Sequence, residues 1–327
     1  MKFADIIGQE DIVLHLQNAV FMKKISHAYI INGEEDAGKL MLAEAFAATL
    51  LCEDTQDKDA CEKCDQCHRL MHHNQPDVIY VTHEKDAISV DDIRQQVSGD
   101  VAIRPYQSDR KIYIIENAQK MNVQAQNALL KTIEEPPDYV VILLLTTNAD
   151  AFLQTIVSRC VRLDLKPISH QMIRDYLMRK YQLPDYQAML YAVFSQGNLG
   201  KAIKIATSAD FNEKRQKVIE LVTHVRDLFD YQLLDYAREY AKVADLGEYL
   251  DLLVVWYRDV LLYKSTLQED SLAFRDASIL VRRYAEESSY AGLNQVIDKI
   301  AYTRDCMKSN VRKDLILEEL LRVMKEK

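Results

Sequence analysis

Short apolar runs alternate with helix-period stretches through the first half of this 327-residue chain, and only helical spacing remains in the second. The runs 28–32, 78–81, 111–115, 139–145 and 161–165 are dense in branched and aromatic residues. They predict strands buried on both faces. Between them, 11–22, 39–51, 90–101 and 123–134 carry apolar residues at helical spacing. Such alternation predicts an α/β fold over residues 1–166, with a parallel sheet covered by helices. From Pro167 onward no strand pattern appears. Ser169 is an N-cap for a helix 171–181, and Gly197 and Gly200 punctuate a second helical region that ends near residue 207. Over 208–327 the stripes Leu246, Leu250, Leu253, Tyr257, Leu261 and Ile316, Leu320, Val323 predict the core of an all-α bundle.

Composition adds limits. No apolar run approaches the roughly 20 residues of a membrane span. The N-terminus MKFADIIGQE puts Asp5 and Glu10 where a signal peptide is apolar, so a cytoplasmic protein is expected. The net charge of −9 argues against a chain whose main work is gripping DNA. Contact with nucleic acid is expected to be local or shared with partners.

The stretch IINGEEDAGKLMLAEAF, from Ile30 to Phe46, is a degenerate phosphate loop. Gly33, Gly38 and Lys39 match the signature G-x-x-x-x-G-K-S/T, but Leu40 stands where a magnesium-binding hydroxyl belongs. The turn also carries Glu34, Glu35 and Asp36 against one lysine, which disfavours a triphosphate. After the run 111–115, Glu116-Asn117 stands where an Asp-Glu pair would hold magnesium and activate water, and Asn117 cannot act as a base. Two separate lesions in one nucleotide site predict a chain that does not hydrolyse ATP; nucleotide binding stays open.

Four cysteines are grouped as Cys52-x8-Cys61-x2-Cys64-x2-Cys67. In a cytoplasmic chain this spacing suits a structural zinc ion better than disulfides. Unligated thiols are the alternative, with His68 a possible substitute ligand. The segment EDTQDKDA between the first two cysteines is polar, as expected of a surface excursion. Cys160 and Cys306 read as ordinary buried thiols.

These motifs together resemble the AAA+ clamp-loader family. The resemblance is carried by FADIIGQE, by SHAYIINGEEDAGK followed by the four cysteines, by NVQAQNALLKTIEEPPDYVVILLLTTN (122–148), and by IVSRC (156–160). It covers roughly residues 1–207 by motif and the remainder by length and pattern. It implies an AAA+ core, a helical lid over 167–207 and a helical collar over 208–327 that assembles a five-subunit ring. The implied partners are gamma/tau motor subunits and a delta subunit, with the sliding clamp and primer-template DNA met through the complex. Motor subunits of the family keep an intact phosphate loop, and this chain departs there, at Asn117 and at Gly200, which takes the place of the sensor-2 arginine. Thr146, Thr147 and Asn148 fall at the family's sensor-1 position. Two rival classes remain: an active AAA+ motor hydrolysing ATP, and an unrelated zinc-dependent nucleic-acid-binding module.

Ser158-Arg159-Cys160 has two readings. Arg159 is either a strand-edge arginine paired with a local carboxylate or, as the resemblance implies, an arginine finger completing a neighbour's ATP site. The finger reading implies a non-hydrolysing stator subunit of the loader. A guanidinium suits that task through its permanent charge and planar donor fork.

Overall fold

The computed structural model describes residues 1–83, 87–208, 210–243, 245–269, 271–307 and 311–326. It divides into two compact units, Met1–Ser169 with Asn198–Gly200, and His170–Gly197 with Lys201–Lys327. In the first, α1 (Glu10–Phe21), β1 (Ala28–Asn32), α2 (Lys39–Leu51), α3 (Asp65–Met71), β2 (Val78–Val81), α4 (Val90–Ile93), β3 (Lys111–Ile115), α5 (Val123–Glu134), β4 (Val140–Thr146), α6 (Gln154–Val157) and β5 (Val161–Asp164) follow in chain order. The sheet is parallel throughout, in the order β2-β3-β4-β1-β5. The expected α/β class, a parallel sheet covered by helices, is therefore present.

Alternate residues of the central strands feed two different cores. Tyr29, Ile31, Ile112, Ile114, Val141 and Leu143 pack with α2 residues such as Leu42 and Phe46. Ile30, Tyr113, Ile115, Ile142 and Leu144 pack with Ile93, Ala125, Leu129 and Ile133 on the other face. Each fully buried Leu, Ile or Phe contributes about 1.5–3 kcal/mol, so burial on both faces fixes register tightly.

Two expectations need correction. Burial on both faces fails for β2 and β5, which show partly exposed side chains because they are the sheet edges and have a neighbour on one side only. The helix expected over 90–101 is α-helical only over Val90–Ile93, continues as a π turn Arg94–Ser98, and stops. Ser89 and Asp92 cap its start reciprocally. The Gly99 N–H then bonds the Arg94 carbonyl at 2.8 Å, and Lys111 and Tyr139 take up the carbonyls of Asp100 and Val101 that a longer helix would use.

The second unit contains no strand among its described residues. It holds α7 (His170–Tyr181), α8 (Asp185–Phe194), α9 (Leu199–Thr207, whose first two residues cluster with the first unit), α10 (Asp210–His224), α11 (Asp230–Tyr240), α12 (Leu246–Thr266), α13 (Ser278–Glu287), α14 (Tyr290–Met307) and α15 (Lys313–Glu326). The stripe Leu246, Leu250, Leu253, Tyr257 is buried as its spacing requires, while Leu261 and Val323 are only partly covered. Trp256 anchors this core edge-on to Phe274, ring centroids 5.3 Å apart. Among the described residues no helix is long and apolar enough to cross a membrane.

A closed nucleotide-like turn, a cysteine cluster and an outward arginine

The turn after β1 is held shut by its own chain. Gly38 has φ of 89° and Asp36 of 61°, so the loop has the left-handed residues that a phosphate cradle needs. Its lysine, however, is turned inward: Lys39 Nζ donates to the Gly33 carbonyl at 2.8 Å and to the Glu34 carbonyl at 2.5 Å. Burial holds the Lys39 ammonium below the ordinary lysine range, against the pull of Glu35, Asp36, Glu116 and Glu34. Leu40 packs against the core beneath the turn, as an apolar replacement for a hydroxyl should. From above, the Asn198 side-chain amide donates to the Glu35 carbonyl at 2.7 Å. Gly200 lies against Asp36 so closely that a Cβ there would meet the Asp36 carbonyl oxygen at 2.2 Å. The position assigned to a sensor-2 arginine thus has no room for a side chain without moving the turn. Asn198 was not singled out from sequence; the neighbouring Gly197-Asn198-Leu199-Gly200 was its only signal.

The other elements singled out from the sequence lie at the ends of β3 and β4. Glu116 and Asn117 are exposed beyond the C-terminal end of β3, with Asn117 in the left-handed region at φ 50°. The buried Thr146 hydroxyl bonds within its own turn, donating to the Asn148 carbonyl and accepting from the Asn148 N–H, both at 3.0 Å. The Thr147 N–H donates to Gln119.

Cys52, Cys61, Cys64 and Cys67 come together, their sulfurs all within 4.8 Å of one another. Tetrahedral thiolates about 2.3 Å from zinc stand about 3.8 Å apart, so this donor set fits a closed site after a small contraction. Backbone N–H groups already point at the sulfurs: Cys61 toward Cys52 at 3.3 Å, and Lys63 and Cys64 toward Cys61 at 3.4 and 3.3 Å. Those last two bonds draw the Cys61 thiol down to about 7, whereas burial pushes Cys52 and Cys67 up. Among the described residues the group consists of the four cysteines alone, and His68 points to solvent on α3. The polar excursion is not wholly superficial. Its last residue Ala60 joins the main core, as do Cys61, Cys67 and Leu70 beyond it, and its buried Asp59 accepts the N–H groups of Phe3 and Ala4 at 3.0 Å.

Arg159 and Ser158 are exposed on the turn leading into β5. Arg159 pairs with Glu134 at 3.0 Å and donates to the Thr155 carbonyl at 2.9 Å, so a local carboxylate partner is present. Because β1 and β5 are parallel with Tyr29 opposite Val161, Arg159 lies at the N-terminal edge of the sheet. The turn at Gly33 follows the C-terminal end of β1, about 17 Å of strand away. Arg159 therefore cannot serve the chain's own nucleotide-like turn. Cys160 beside it is partly buried, and burial pushes its thiol up to about 12.

Comparison with known proteins decides the relationship. Residues 8–169 match the family described as DNA polymerase III, delta subunit, and residues 209–326 match its C-terminal counterpart. The chain belongs to the DNA polymerase III delta-prime family. It is 29% identical to DNA polymerase III subunit delta' of Bacillus subtilis over 95% of this chain and 94% of that one. It is 31% identical to subunit tau of the same organism over 81% of its own length, spanning 50% of tau. Among solved structures, a gamma-subunit-related protein of Thermotoga maritima is similar at 20% identity with a TM-score of 0.45, over 95% and 98% of the two chains. Within this delta-prime family member, the closed turn and the cysteine cluster belong to the region matched by the first family model, as does Arg159.

Proposed function

We propose that this chain is the non-hydrolysing stator subunit of a replicative sliding-clamp loader, a catalytically defective AAA+ protein acting in the cytoplasm. In this reading it assembles with tau/gamma motor subunits and a delta subunit in a five-subunit ring, through a collar over 208–327 with a lid over 167–207. It completes the ATP site of the adjacent motor with Arg159, flanked by Ser158. The complex then loads the clamp onto primed DNA. Zinc in the four-cysteine site has a structural role, since four thiolates leave no open position for chemistry.

One observation carries the reading: the exposed arginine and the nucleotide-like turn stand at opposite edges of one parallel sheet, and the turn is filled by its own lysine. Such a chain has a phosphate-binding arginine to offer and no phosphate of its own to offer it to.

The test is reconstitution. The chain mixed with purified tau/gamma and delta subunits should give a defined hetero-oligomer whose ATPase is stimulated by primed DNA and clamp. The motor alternative predicts ATP turnover by the isolated chain, lost on Lys39→Ala. Failure to enter any such assembly would remove the stator reading.

A further inference from the structure

Trp256 is the chain's single tryptophan and is 1% exposed, yet its indole N–H has no hydrogen-bond acceptor among the described residues. Buried indole N–H groups ordinarily find one. The ring borders a cavity of about 130 Å³ in the second unit, between the end of α10 with its following turn Val225–Asp227 and helices α12 and α13. Tyr284 lines the same cavity, and its hydroxyl lies 3.3 Å from that of Tyr257. One of these hydroxyls donates to the other, which leaves a second proton without an acceptor among the described residues.

The mouth carries surplus positive charge. One oxygen of Glu287 accepts from Arg226 at 2.9 Å and the other from Arg283 Nε at 2.9 Å, so two guanidinium groups share one carboxylate. Arg226 is further committed, donating to Ser288 Oγ at 2.7 Å with its guanidinium 4.0 Å from the Tyr284 ring centre. Arg283 is not. Its side chain is 73% exposed, and its two terminal nitrogens have no partner among the described residues. Asp227 also borders the mouth, but it is exposed and its charge is screened by water and salt.

We propose that this cavity is a binding site for a small organic carboxylate with an apolar body. The carboxylate accepts from the Trp256 N–H and from the free nitrogens of Arg283, and the body lies against Leu280 and the aromatic walls. An apolar cavity of about 150 Å³ takes up benzene, so this one suits a ligand of about eight non-hydrogen atoms. Water satisfies the indole but brings no charge to Arg283 and lies badly against Leu280. Inorganic phosphate brings the charge and nothing for the apolar wall. A carboxylate offers both, and its planar pair of acceptors matches the guanidinium fork.

Every lining residue belongs to the second unit, so the site is independent of the stator reading. With one tryptophan in the chain, its emission and its indole N–H resonance report on this site alone. The full-length protein is titrated with sodium 4-methylpentanoate, with the corresponding neutral amide and with inorganic phosphate, at constant ionic strength. The acid should move both signals saturably, with half-saturation below about 1 mM, and should shift the indole proton downfield as the hydrogen bond forms. The amide and phosphate should need at least about tenfold higher concentrations. Arg283→Gln alters an exposed side chain, so it should keep the unfolding midpoint while raising half-saturation by the acid at least about tenfold. No saturation by the acid below about 1 mM overturns the site. So does an amide or phosphate that binds the wild type as tightly as the acid, or a titration that Arg283→Gln leaves unchanged.

Discussion

Gly200 stands against Asp36, with 2.2 Å between the place of a Cβ on the one and the carbonyl oxygen of the other. Gly200 lies in α9, where glycine ordinarily costs about 0.5–1 kcal/mol relative to alanine. Gly200→Ala should therefore stabilise an unconstrained helix. Here the methyl group must displace a backbone carbonyl, and overpacking of that kind costs about 1–3 kcal/mol. The sign of the change in urea-unfolding free energy is the measurement. A gain in stability would show that the turn and residue 200 are not in contact.

The closed turn makes a second expectation. Restoring the missing hydroxyl with Leu40→Thr should not restore ATP hydrolysis to the isolated chain. Lys39 remains bonded to the Gly33 and Glu34 carbonyls, Asn117 still offers no base, and Gly200 still seals the turn. The variant should also lose about 1–2 kcal/mol, because Leu40 packs into the core. Phosphate release above background by the variant, abolished by adding Lys39→Ala, would count against the account.

β1, β2, β3, α2 and α5 lie at the residues their patterns predict, because strands facing two cores and helices facing one leave dense apolar signatures. The ends read less well where long-range polar bonds decide them. Nothing local announces that Lys111 and Tyr139 will draw the chain out of its helix after Ser98. Nor does anything local mark Asp77 as the acceptor for the N–H groups of Tyr106, Gln107 and Ser108, beyond its being a lone carboxylate that opens an apolar run. The cysteine grouping was fully legible from spacing, and the sulfurs do converge. The partner of Arg159 was not, since Glu134 comes from the end of α5, 25 residues earlier in the chain, and meets it only through the sheet.

Elemental analysis of protein purified without chelator should give about one zinc per chain. Replacing Cys64 by serine should remove it and lower the unfolding midpoint. Loss should extend to the N-terminus, because Asp59, which holds Phe3 and Ala4, sits in the loop that the cysteines close. A metal-free chain with the same midpoint would contradict a structural zinc.

Asp259 on α12 is fully buried, accepting the Phe274 N–H at 2.7 Å, with Arg258 3.5 Å away. Burial pushes its carboxyl up to about 6, only partly opposed by the Phe274 bond and by Arg258. The folded value lies above the unfolded value of about 3.9, so the folded state holds more protons between the two. This group's contribution therefore improves as pH falls from about 6 toward about 4 and is least favourable above about 6. Asp259→Asn keeps an acceptor for Phe274 and removes the charge. The variant should gain on wild type by up to about 3 kcal/mol between pH of about 4 and 7. Urea unfolding of both proteins across that range checks it; parallel curves would show that Asp259 does not titrate there.

Arg159 and Glu134 are 41% and 42% exposed, and an ion pair so wetted contributes about 0.2–1 kcal/mol at most. The pair therefore parks the guanidinium without locking it, and a neighbour's developing phosphate charge can outcompete one solvated carboxylate. Arg159→Ala should change unfolding free energy by less than about 1 kcal/mol and leave ring assembly intact. It should still cut the DNA-stimulated ATPase of the reconstituted complex. If motor–motor interfaces bring their own arginines, as the proposed function implies, that loss should be partial and the loss in clamp loading larger. Arg159→Lys should rescue poorly, since lysine keeps the charge but loses the planar fork. Glu134→Gln separates the two roles. It breaks the local pair while leaving Arg159 free, so a structural arginine predicts the same defect as Arg159→Ala, whereas a finger predicts near-normal loading. If the Arg159→Ala complex loads clamps at the wild-type rate, the arginine is a surface residue that serves only its own sheet edge.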